Sequence, residues 1–424
     1  MLDIELFRKN PSIIKQSQEA RGLPTDIVDW IIDLDTEWKK TQQDLDALRH
    51  ERNVLSEKIN KLKKENKPVK TFLETAKNLA KNIVILETKV KELKEKRNNL
   101  LYSVPNILDK DVPFGKDEND NKEIKRAGKP KKFSFLPKHH QDLLIALNCL
   151  DTEQAAKVSG ARFYYLKNEL VKLNLALINF AIDFLHKKNF LLIQPPYMLN
   201  KEALSGAIHL STFEESIYKI ENEDLYLIAT AEHPIIAYFK DRIVDKKELP
   251  IRLLGVSPCF RKEAGSHGKD TKGIFRVHQF EKVEQVSICE PSQVKKEFDL
   301  LLKNSEQMLK ALKIPYRLLF LCSGDTGKAS AKTIDFEGWF PAQNKYRELG
   351  SCSNLNDYQA RRSNIKYCDG KKLIFPATLN NTGLAAERTL ACLVENNQEK
   401  DGSIKIPKVL WKYTGFKELA NHKA

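Results

Sequence analysis

Two series of mostly apolar residues lie between residues 31 and 104, and in each series successive members are alternately three and four residues apart. That spacing is typical of a coiled-coil seam. The first series consists of Ile31, Leu34, Trp38, Thr41, Leu45, Leu48, Arg52, Leu55, Ile59 and Leu62. The second consists of Phe72, Ala76, Leu79, Ile83, Leu86, Val90, Leu93, Arg97, Leu100 and Val104. Residues 65–68 (ENKP) separate them, and a proline interrupts a helix. The pattern predicts an antiparallel coiled-coil hairpin over about residues 30–104, inside a helical domain of residues 1–105.

A different pattern begins after residue 135. Residues 106–135 are polar and carry runs of charge, which is typical of a surface linker. Residues 170–188 then have the periodicity of an amphipathic helix, which leads into a short strand and two prolines, Pro195 and Pro196. Strand-like segments cover residues 226–228, 252–256, 273–286 and 316–321, with one amphipathic helix at 291–312. No alternating strand–helix rhythm and no GxGxxG loop occurs, so a Rossmann-type fold is disfavoured. We therefore predict an α+β domain over residues 136–424, with an antiparallel sheet flanked by helices.

The chain is strongly basic, with 71 Lys and Arg against 57 Asp and Glu. Such a surplus suits a polyanionic partner. Half of it lies in residues 36–98, which hold 17 basic and 10 acidic residues. The hairpin is therefore a candidate surface for nucleic acid. An ordinary dimerising coiled coil with solvated charges is the alternative explanation.

Several compositional features bear on location and cofactors. No apolar run approaches the ~18 residues of a membrane span, so we expect no membrane association. The seven cysteines are scattered without a CxxC pair, so neither a disulfide framework nor a zinc site is expected. Asp3 and Glu5 fit neither a secretory signal nor a transit peptide. Together these features predict a cytoplasmic protein.

Candidate chemistry is concentrated in residues 260–285, FRKEAGSHGKDTKGIFRVHQFEKVEQ. Two strand-like runs flank a loop at residues 264–272, and side chains alternate faces along a strand. One face of the second run is predicted to carry Arg276, His278, Phe280, Lys282 and Glu284. One face of the first run is predicted to carry Arg261 and Glu263. Guanidinium groups bind phosphate oxygens in a forked geometry and a phenyl ring can stack on a base, so this surface suits ATP. A solvated hairpin face is the alternative interpretation.

These runs, FRKEAG and RVHQFEKVEQ, resemble motif 2 of the class II aminoacyl-tRNA synthetases, and specifically of the seryl-tRNA synthetase family. The likeness extends in order and spacing over nearly the whole chain. It includes LDIELFRKNP near the start, KVSGARFYYL (157–166), TAEHP (230–234), ELGSCSN (348–354) and LNNTGLAAERTL (379–390). The resemblance implies a class II catalytic domain that activates serine with ATP and then transfers it to the 3′ end of a serine tRNA.

The resemblance also implies an ATP site. Arg261, Arg276 and Arg388 would be the catalytic residues, since they would contact the phosphates of ATP. Phe280 would stack on adenine, with Glu263 on the adenine side. The segment ELGSCSN would bring Glu348, Leu349, Gly350 and Ser351 to ATP. Glu348 and Ser351 offer the hard oxygen ligands that Mg²⁺ prefers.

A serine pocket is implied by three segments. Its expected residues are Thr230, Ala231, Glu232, Arg261, Glu284, Asn380 and Thr382. Glu284 would bind the ammonium group and Thr382 the hydroxyl group. Asn381 or Thr382 is predicted to cap a helix that begins at residue 383. Three residues depart from the usual family pattern, namely Ala229, His233 and Glu387. His278 is expected to pack or to form hydrogen bonds, with no catalytic role.

For the hairpin, the resemblance implies a grip on the long variable arm of serine tRNA. Lys and Arg contacts to phosphates supply affinity with little sequence information. The candidate contact residues are Arg49, Arg52, Lys58, Lys61, Lys63 and Lys64. The helix at 170–188 and the following strand resemble motif 1, which implies a homodimer, with Pro196 as the motif's proline. Whether a selenocysteine tRNA is also served stays open at this point.

Two alternatives from other functional classes remain. One is a class II synthetase-like ligase that loads another acceptor, and such relatives lack a long arm. The other is a non-catalytic RNA-binding paralogue. The arginines of the motif 2 segment and of LNNTGLAAERTL, which resembles motif 3 of the family, are intact, together with Phe280 and Glu284, and this argues against a loss of chemistry.

Overall fold

The structure is a computed structural model that describes residues 1–209, 216–263 and 272–420. The chain divides into two compact units, Met1–Val104 and Pro105–Ala424. None of the helices in the described part of the chain combines the length and the apolar character that a membrane crossing needs.

The first unit is helical. It consists of α1 (Ile4–Lys9), α2 (Pro11–Ala20), α3 (Asp26–Lys64) and α4 (Lys70–Ser103). The two long helices and the break at residues 65–68 confirm the predicted hairpin. Arg49 lies 2.8 Å from Glu87, and Lys89 lies 2.8 Å from Glu37, so the partners run in opposite directions along the two helices.

The seam of this hairpin is buried where the heptad pattern predicts it. Its fully buried apolar members include Ile31, Leu45, Ile59, Leu79, Ile83 and Leu93. Arg52, which we assigned to the seam, is exposed instead. The sequence pattern did not reveal the buried carboxylate of Asp35, which pairs with Arg8 of α1 and with Arg97 of α4 at 2.7 and 2.6 Å.

The helices of the second unit are short except for two. They are α5 (His140–Ala146), α6 (Glu153–Ser159), α7 (Glu169–His186), α8 (Lys201–Ala207), α9 (Glu232–Tyr238), α10 (Val294–Ala311), α11 (Tyr358–Arg362), α12 (Ala386–Asn396) and α13 (Trp411–Thr414). Single 3₁₀ turns occur at Glu118–Asp120, Lys246–Glu248, Pro291–Gln293 and Lys408–Leu410. The two predicted amphipathic helices are α7 and α10, within a few residues of the expected bounds.

Among the described residues, eight strands form the main sheet in the order β1-β10-β11-β12-β15-β9-β8-β4. They are β1 (Lys122–Ala127), β4 (Leu191–Ile193), β8 (Ile251–Phe260), β9 (Gln279–Cys289), β10 (Tyr316–Phe320), β11 (Lys332–Phe340), β12 (Lys345–Asn354) and β15 (Ala377–Ala385). The neighbours pair antiparallel, except that β4 runs parallel to β8. The predicted antiparallel sheet flanked by helices is confirmed.

The remaining strands form small accessory sheets. They are β2 (Leu150–Asp151), β3 (Tyr165–Leu166), β5 (Met198–Leu199), β6 (Tyr226–Leu227), β7 (Ile243–Asp245), β13 (Lys366–Asp369), β14 (Lys372–Ile374), β16 (Ile404–Lys405) and β17 (Glu418–Leu419). A second apolar cluster packs α8 and α9 against β8 and β9, with Leu204, Ile235 and Val286 at its centre. At Gly255 of β8 an added Cβ would lie 2.6 Å from the Cβ of Ala231, so glycine permits this close approach.

The structure differs from the sequence prediction in residues 106–135, which we expected to be a linker. Part of this stretch, β1, pairs with β10 as an edge strand of the main sheet. Its sequence KEIKRA is almost fully exposed and highly charged. An edge strand tolerates such charges because it is paired on one side only, and this is why the pattern resembles a loop.

Candidate active site

The predicted strand face in residues 260–285 is only partly formed. Phe280, Lys282 and Glu284 lie on β9, as predicted. Arg276 precedes that strand, and Arg261 and Glu263 follow the end of β8, so their placement on strand faces was wrong. Strand β8 ends at Phe260, and three residues later Glu263 adopts a left-handed φ of 50°. Residues 264–271 of the predicted loop lie outside the described residues.

His278 joins the two segments where the strands end. The main-chain N–H of Arg261 donates to the carbonyl oxygen of His278 at 2.9 Å. The His278 ring nitrogen Nδ1 lies 2.9 Å from the Arg261 carbonyl oxygen and 3.0 Å from the Tyr218 hydroxyl. The ring therefore extends the pairing of β8 and β9 by one step. This is the hydrogen-bonding role expected for His278.

The arginines of the ATP-binding prediction come together around carboxylates. Arg276 pairs with Glu263 at 2.8 Å, and Arg388 pairs with Glu348 at 3.0 Å. Burial acts to raise the pKa of Glu348, but Arg388, Arg261 and Arg276 outweigh it and lower that pKa. All three guanidinium groups therefore act on one carboxylate. One small cavity is lined by Glu263, Phe275, Arg276, Val277, Phe280, Glu387 and Arg388.

Arg261 occupies the position between the two halves of the site. Its guanidinium lies 5.1 Å from the ring centre of Phe280, and its Nε donates to the carbonyl oxygen of Ala229 at 3.3 Å. It thus contacts both the aromatic ring proposed for adenine and the segment proposed for serine. An arginine at this junction can neutralise negative charge from two ligands at once.

A second group of acidic residues lines a cleft of about 580 Å³ beside Glu348 and Ser351. Asp335 of β11 faces Ser351 of β12 in the strand register. Its Oδ1 atom is buried without a hydrogen-bond partner among the described residues. Burial, and then the charges of Glu348 and Glu337, raise the pKa of Asp335 well above its usual range. Sequence analysis missed Asp335 because only the pairing of two strands brings it to this cleft.

Leu349 and Gly350 have different surroundings. The side chain of Leu349 is buried in the main apolar core, so only its backbone is available to a ligand in the cleft. At Gly350 an added Cβ would lie 2.6 Å from the Cβ of Thr382. Glycine at this position therefore allows β12 to approach the side chain of Thr382 on β15.

The expected serine-pocket residues lie on β9, on β15, on α9 with the turn before it, and, for Arg261, just beyond the end of β8. Thr382 of β15 faces Glu284 of β9 in the strand register. Lys282, also on β9, donates to the Thr230 hydroxyl at 3.2 Å and lies 2.5 Å from Glu284. The remaining members are Ala231 and Glu232 at the start of α9 and Asn380 of β15. Sequence analysis put Lys282 on this face but gave it no role.

The helix of the LNNTGLAAERTL segment starts later than predicted. Strand β15 continues through Gly383 to Ala385, and α12 begins at Ala386 without a side-chain cap. The buried amide of Asn381 instead donates to the Leu301 carbonyl oxygen and to the Ser305 hydroxyl. Because the helix starts later, Arg388 is its third residue and lies within the first turn.

Comparisons with known proteins agree with this architecture. A family model described as the seryl-tRNA synthetase N-terminal domain matches residues 1–108, and one described as the tRNA synthetase class II core domain (G, H, P, S and T) matches residues 213–397. The serine–tRNA ligases of Picrophilus torridus and Pyrococcus horikoshii are each 46% identical to the chain. The alignments cover 99% of this chain and 99% and 97% of the two relatives. The chain belongs to the seryl-tRNA synthetase family.

Solved structures of this synthetase family share the fold. A crystal structure of the Pyrococcus horikoshii seryl-tRNA synthetase complexed with ATP matches with a TM-score of 0.95 and 46% identity, and covers 100% of both chains. The cytoplasmic serine–tRNA ligase of Naegleria fowleri, in complex with AMP, matches with a TM-score of 0.90 and 38% identity. That match covers 100% of this chain and 99% of the Naegleria chain.

Two of the three departures from the usual family pattern are buried polar residues. In this synthetase, burial and then the charges of Arg261 and Lys282 lower the pKa of His233 to about 3, so its ring is neutral. Glu387 accepts hydrogen bonds from the Tyr164 hydroxyl at 2.6 Å and the Glu281 main-chain N–H at 3.0 Å. Burial and Glu281 raise the pKa of Glu387 well above its usual range. A neutral Glu387 adds no negative charge beside Arg388.

The hairpin residues expected to meet tRNA fall into two groups. Arg49 is half-buried and paired with Glu87, and Lys58 lies 4.7 Å from the ring centre of Phe72. Lys58, Arg52, Lys61, Lys63 and Lys64 are exposed, and the last three lie in the last turn of α3. Three of the exposed candidates therefore lie at the tip of the hairpin.

Proposed function

We propose that the site around Arg261 activates L-serine with ATP, giving seryl-adenylate and pyrophosphate, and then passes serine to the 3′ end of a serine tRNA. Membership of the seryl-tRNA synthetase family makes the chain an ATP-dependent aminoacyl-tRNA ligase. The observation that carries the site assignment is the convergence of Arg261, Arg276 and Arg388 on one carboxylate. Three positive charges in one partly buried cleft suit a triphosphate.

The chemistry needs no general base. The carboxylate of serine is already an anion and attacks the α-phosphate of ATP in line, while pyrophosphate leaves. Catalysis then consists of positioning and of neutralising charge that develops on the phosphate oxygens. Arg261 contacts both sides of the site and is suited to hold the α-phosphate beside the attacking carboxylate.

ATP would replace ion pairs that now join protein groups. Arg276 would exchange Glu263 for the γ-phosphate, and Arg388 would exchange Glu348 for phosphate oxygens. Phe280 would stack on adenine with Glu263 nearby. Leu349 and Gly350 would contribute backbone contacts. These exchanges keep every guanidinium group paired before and after binding, which limits the cost of burying charge.

Glu348 and Ser351 are the residues that would hold Mg²⁺, and Asp335 joins them. The buried, unpartnered Oδ1 of Asp335 and the neighbouring carboxylates form a set of hard oxygen donors that fits this ion. When bound with ATP, the ion would neutralise phosphate charge and help orient the leaving pyrophosphate. The cluster's own negative charge explains why Arg388 already pairs with Glu348.

The serine pocket would use Thr382 for the hydroxyl group and Glu284 for the ammonium group, with Thr230, Ala231, Glu232 and Asn380 around them. A pocket that hydrogen-bonds a hydroxyl rejects alanine because its buried polar groups would lose their partner. Threonine would be rejected by lack of space for one methyl group, which is typically worth about 1–3 kcal/mol.

The hairpin would bind the long variable arm of serine tRNA through phosphate contacts. The exposed lysines Lys61, Lys63 and Lys64 and the exposed Arg52 are the primary candidates, with Arg49 and Lys58 able to join by exchanging partners. Their contacts would read the shape of an RNA helix instead of its sequence. Charging of a selenocysteine tRNA would require a variable arm of the same shape, and charging assays with that tRNA test whether it is a substrate.

We further propose a cytoplasmic homodimer. Motif 1 corresponds to α7, β4 and Pro196, and its exposed apolar side chains include Val171, Leu175, Leu191 and Leu192. Contiguous exposed apolar residues mark association surfaces. All seven cysteines carry free thiols, which suits a reducing compartment. Light scattering of the native protein should give twice the mass of one chain. The double variant Leu175→Asp/Leu191→Asp should give the mass of a single chain.

Exchange of pyrophosphate into ATP, measured in parallel with serine, threonine, alanine and glycine, tests the substrate assignment. Serine should support exchange at least about 100-fold better than alanine or glycine. Equal exchange with another of these amino acids would overturn the serine assignment. Charging of serine tRNA under the same conditions tests the second step.

A further inference from the structure

The proposed serine pocket contains two glutamates but one lysine. Lys282 lies 2.5 Å from Glu284, and both side chains are almost fully buried, with 8% and 1% of their surface exposed. Lys282 also donates to the hydroxyl of Thr230. The negative charge of Glu284 is therefore balanced within the protein.

Glu232 has neutral hydrogen-bond partners. Gln359 of α11 donates to its Oε1 at 2.6 Å, and the side chain of Asn380 on β15 also hydrogen-bonds it. The Gln359 amide is fixed, because its nitrogen also donates to Ala207 of α8 and its oxygen accepts from Thr378. These amides orient the carboxyl group but add no charge to it.

The charged groups that face Glu232 come from β9. They are Glu284, which acts to raise its pKa, and Lys282, which acts to lower it. Burial raises the pKa of Glu284, while Lys282 and then Arg261, beyond the end of β8, act to lower it. His233, the next residue of α9, is neutral at physiological pH. Burial and then Glu284 raise the pKa of Glu232 to about 7. Without amino acid, Glu232 is partly protonated near neutral pH.

We propose that serine binding replaces a proton in the pocket with the substrate ammonium group. The ammonium group enters the pocket, and Glu232 releases its proton to solvent. The O–H bond of the Glu232 carboxyl group breaks, and the carboxylate that forms faces the ammonium group together with Glu284. With serine bound, two carboxylates face two cations, Lys282 and the substrate. This inference rests on the proposed serine-binding function of the same pocket.

The pH dependence follows from the direction of the shift. Near pH 8.5 Glu232 is ionised before serine arrives, so no proton leaves it and the weakening that its protonation causes is absent. As the pH falls through 7, serine must displace a proton, and its affinity should weaken about tenfold between pH 8.5 and pH 6. The ammonium of free serine loses its proton only at the alkaline end of this range, so between pH 6 and neutral pH the free ligand does not produce the effect.

Isothermal titration calorimetry of serine into the full chain, in several buffers of different ionisation enthalpy, measures the released protons. We expect about three quarters of a proton at pH 6.5 and close to none at pH 8.5. Serine binding whose heat is independent of the buffer at pH 6.5 would overturn the proton release alone. Absence of serine binding at both pH values would overturn the proposed function and this inference with it.

Glu232→Gln identifies the group that releases the proton. The amide is isosteric and always neutral, so this variant should bind serine without proton release and without pH dependence between 6 and 8.5. Continued proton release by Glu232→Gln would assign the proton elsewhere and overturn the role of Glu232. If the variant binds no serine, the Gln359→Leu variant decides: loss of the hydrogen bond that lowers the pKa of Glu232 should raise proton release near neutral pH above that of the native protein, and an unchanged value contradicts the role of Glu232.

Discussion

His140 and Glu395 form a fully buried hydrogen bond, 2.8 Å from Nδ1 to Oε1. The other ring nitrogen of His140 accepts a hydrogen bond from the main-chain N–H of Ile274 at 3.2 Å. These bonds fix helix α5 to two distant parts of the chain. Ile274, which is 134 positions away, lies at the start of the segment that carries Phe275 and Arg276, and Glu395, which is 255 positions away, lies at the end of α12.

We expect His140→Ala to destabilise the protein by about 2–4 kcal/mol, because two buried polar groups lose their partner. The KM for ATP should rise more than the KM for serine, since Arg276 follows the displaced segment. His140→Gln, which keeps a donor and an acceptor, should recover part of both losses. Thermal unfolding and exchange kinetics measure these effects, and an unchanged KM for ATP in a destabilised His140→Ala would limit the residue to a structural role.

Arg261→Ala should reduce serine-dependent pyrophosphate exchange by a factor of about 10³ or more, since the guanidinium neutralises charge only as the transition state forms. The fold should persist, as judged by circular dichroism and melting temperature. Arg242→Ala, which removes a guanidinium stacked on Tyr238 away from the cleft, is the matched control. Near-normal exchange by Arg261→Ala would contradict the phosphate role.

Gly350→Ala should act on serine through Thr382. The new methyl group would press on the Thr382 side chain and on the ring of Phe336, and such overpacking typically costs about 1–3 kcal/mol. We expect the KM for serine to rise about tenfold. Gly327→Ala serves as control, because an added Cβ there meets only an atom at 3.9 Å. A normal KM for serine in a folded Gly350→Ala would argue against Thr382 as the hydroxyl partner.

Excision of the hairpin should separate the two steps of the reaction. Glu37 and Lys89 lie opposite each other, so residues 42–86 can be replaced by a short Gly/Ser turn between facing helices. Amino-acid activation should continue at the normal rate, while charging of tRNA should fall steeply. Full charging by the shortened chain would exclude the hairpin as the tRNA grip.

The exposed lysines at the tip allow a finer test. Replacing Lys61, Lys63 and Lys64 with Glu should weaken tRNA binding and flatten its dependence on salt, because fewer phosphate counterions are released. Replacing Lys295, Lys303 and Lys310 with Glu, three exposed lysines of α10, is the control for charge alone. Equal losses in both proteins would point to a general electrostatic effect.

Asp35→Asn should destabilise the first unit by about 3 kcal/mol, because it leaves Arg97 buried without its charged partner. Calorimetric unfolding of the full chain measures this. Asp33→Asn, an exposed neighbour on the same helix, should have little effect. A stable Asp35→Asn would mean that Arg97 finds compensation from Trp38, whose ring lies 4.7 Å away.

The parts of the fold that were predictable have a local periodic signal. The hairpin has one in its alternating three- and four-residue spacing, as do α7 and α10. Strands β11 and β12 were missed because charged and polar residues line the cleft on one of their faces, which interrupts the apolar alternation. Strand β15 was mistaken for the start of a helix because its buried Asn381 and Thr382 resemble capping residues. Tertiary hydrogen bonds, which a local pattern does not contain, satisfy them instead.

The same division holds for the site. Residues within one motif, such as Phe280 and Glu284, were found from spacing and family resemblance. Asp335 becomes a neighbour of Ser351 only through the pairing of two strands. Lys282 gains a role in the pocket only because folding brings Thr230 and Glu232 close to it. Sequence alone therefore identified the motifs, whereas the balance of charge between them required the structure.

The two outer strands of the main sheet differ in a way that limits how copies of the chain can join. Strand β1 is covered with lysine, arginine and glutamate and contains a register shift, so it repels an incoming strand. The opposite border, at β4, exposes Leu191 and Leu192. Because β1 resists pairing and only β4 exposes apolar side chains, association of two chains through β4 would leave no second edge for a further chain. Association would therefore stop at a pair of chains and would not extend into an open-ended fibre.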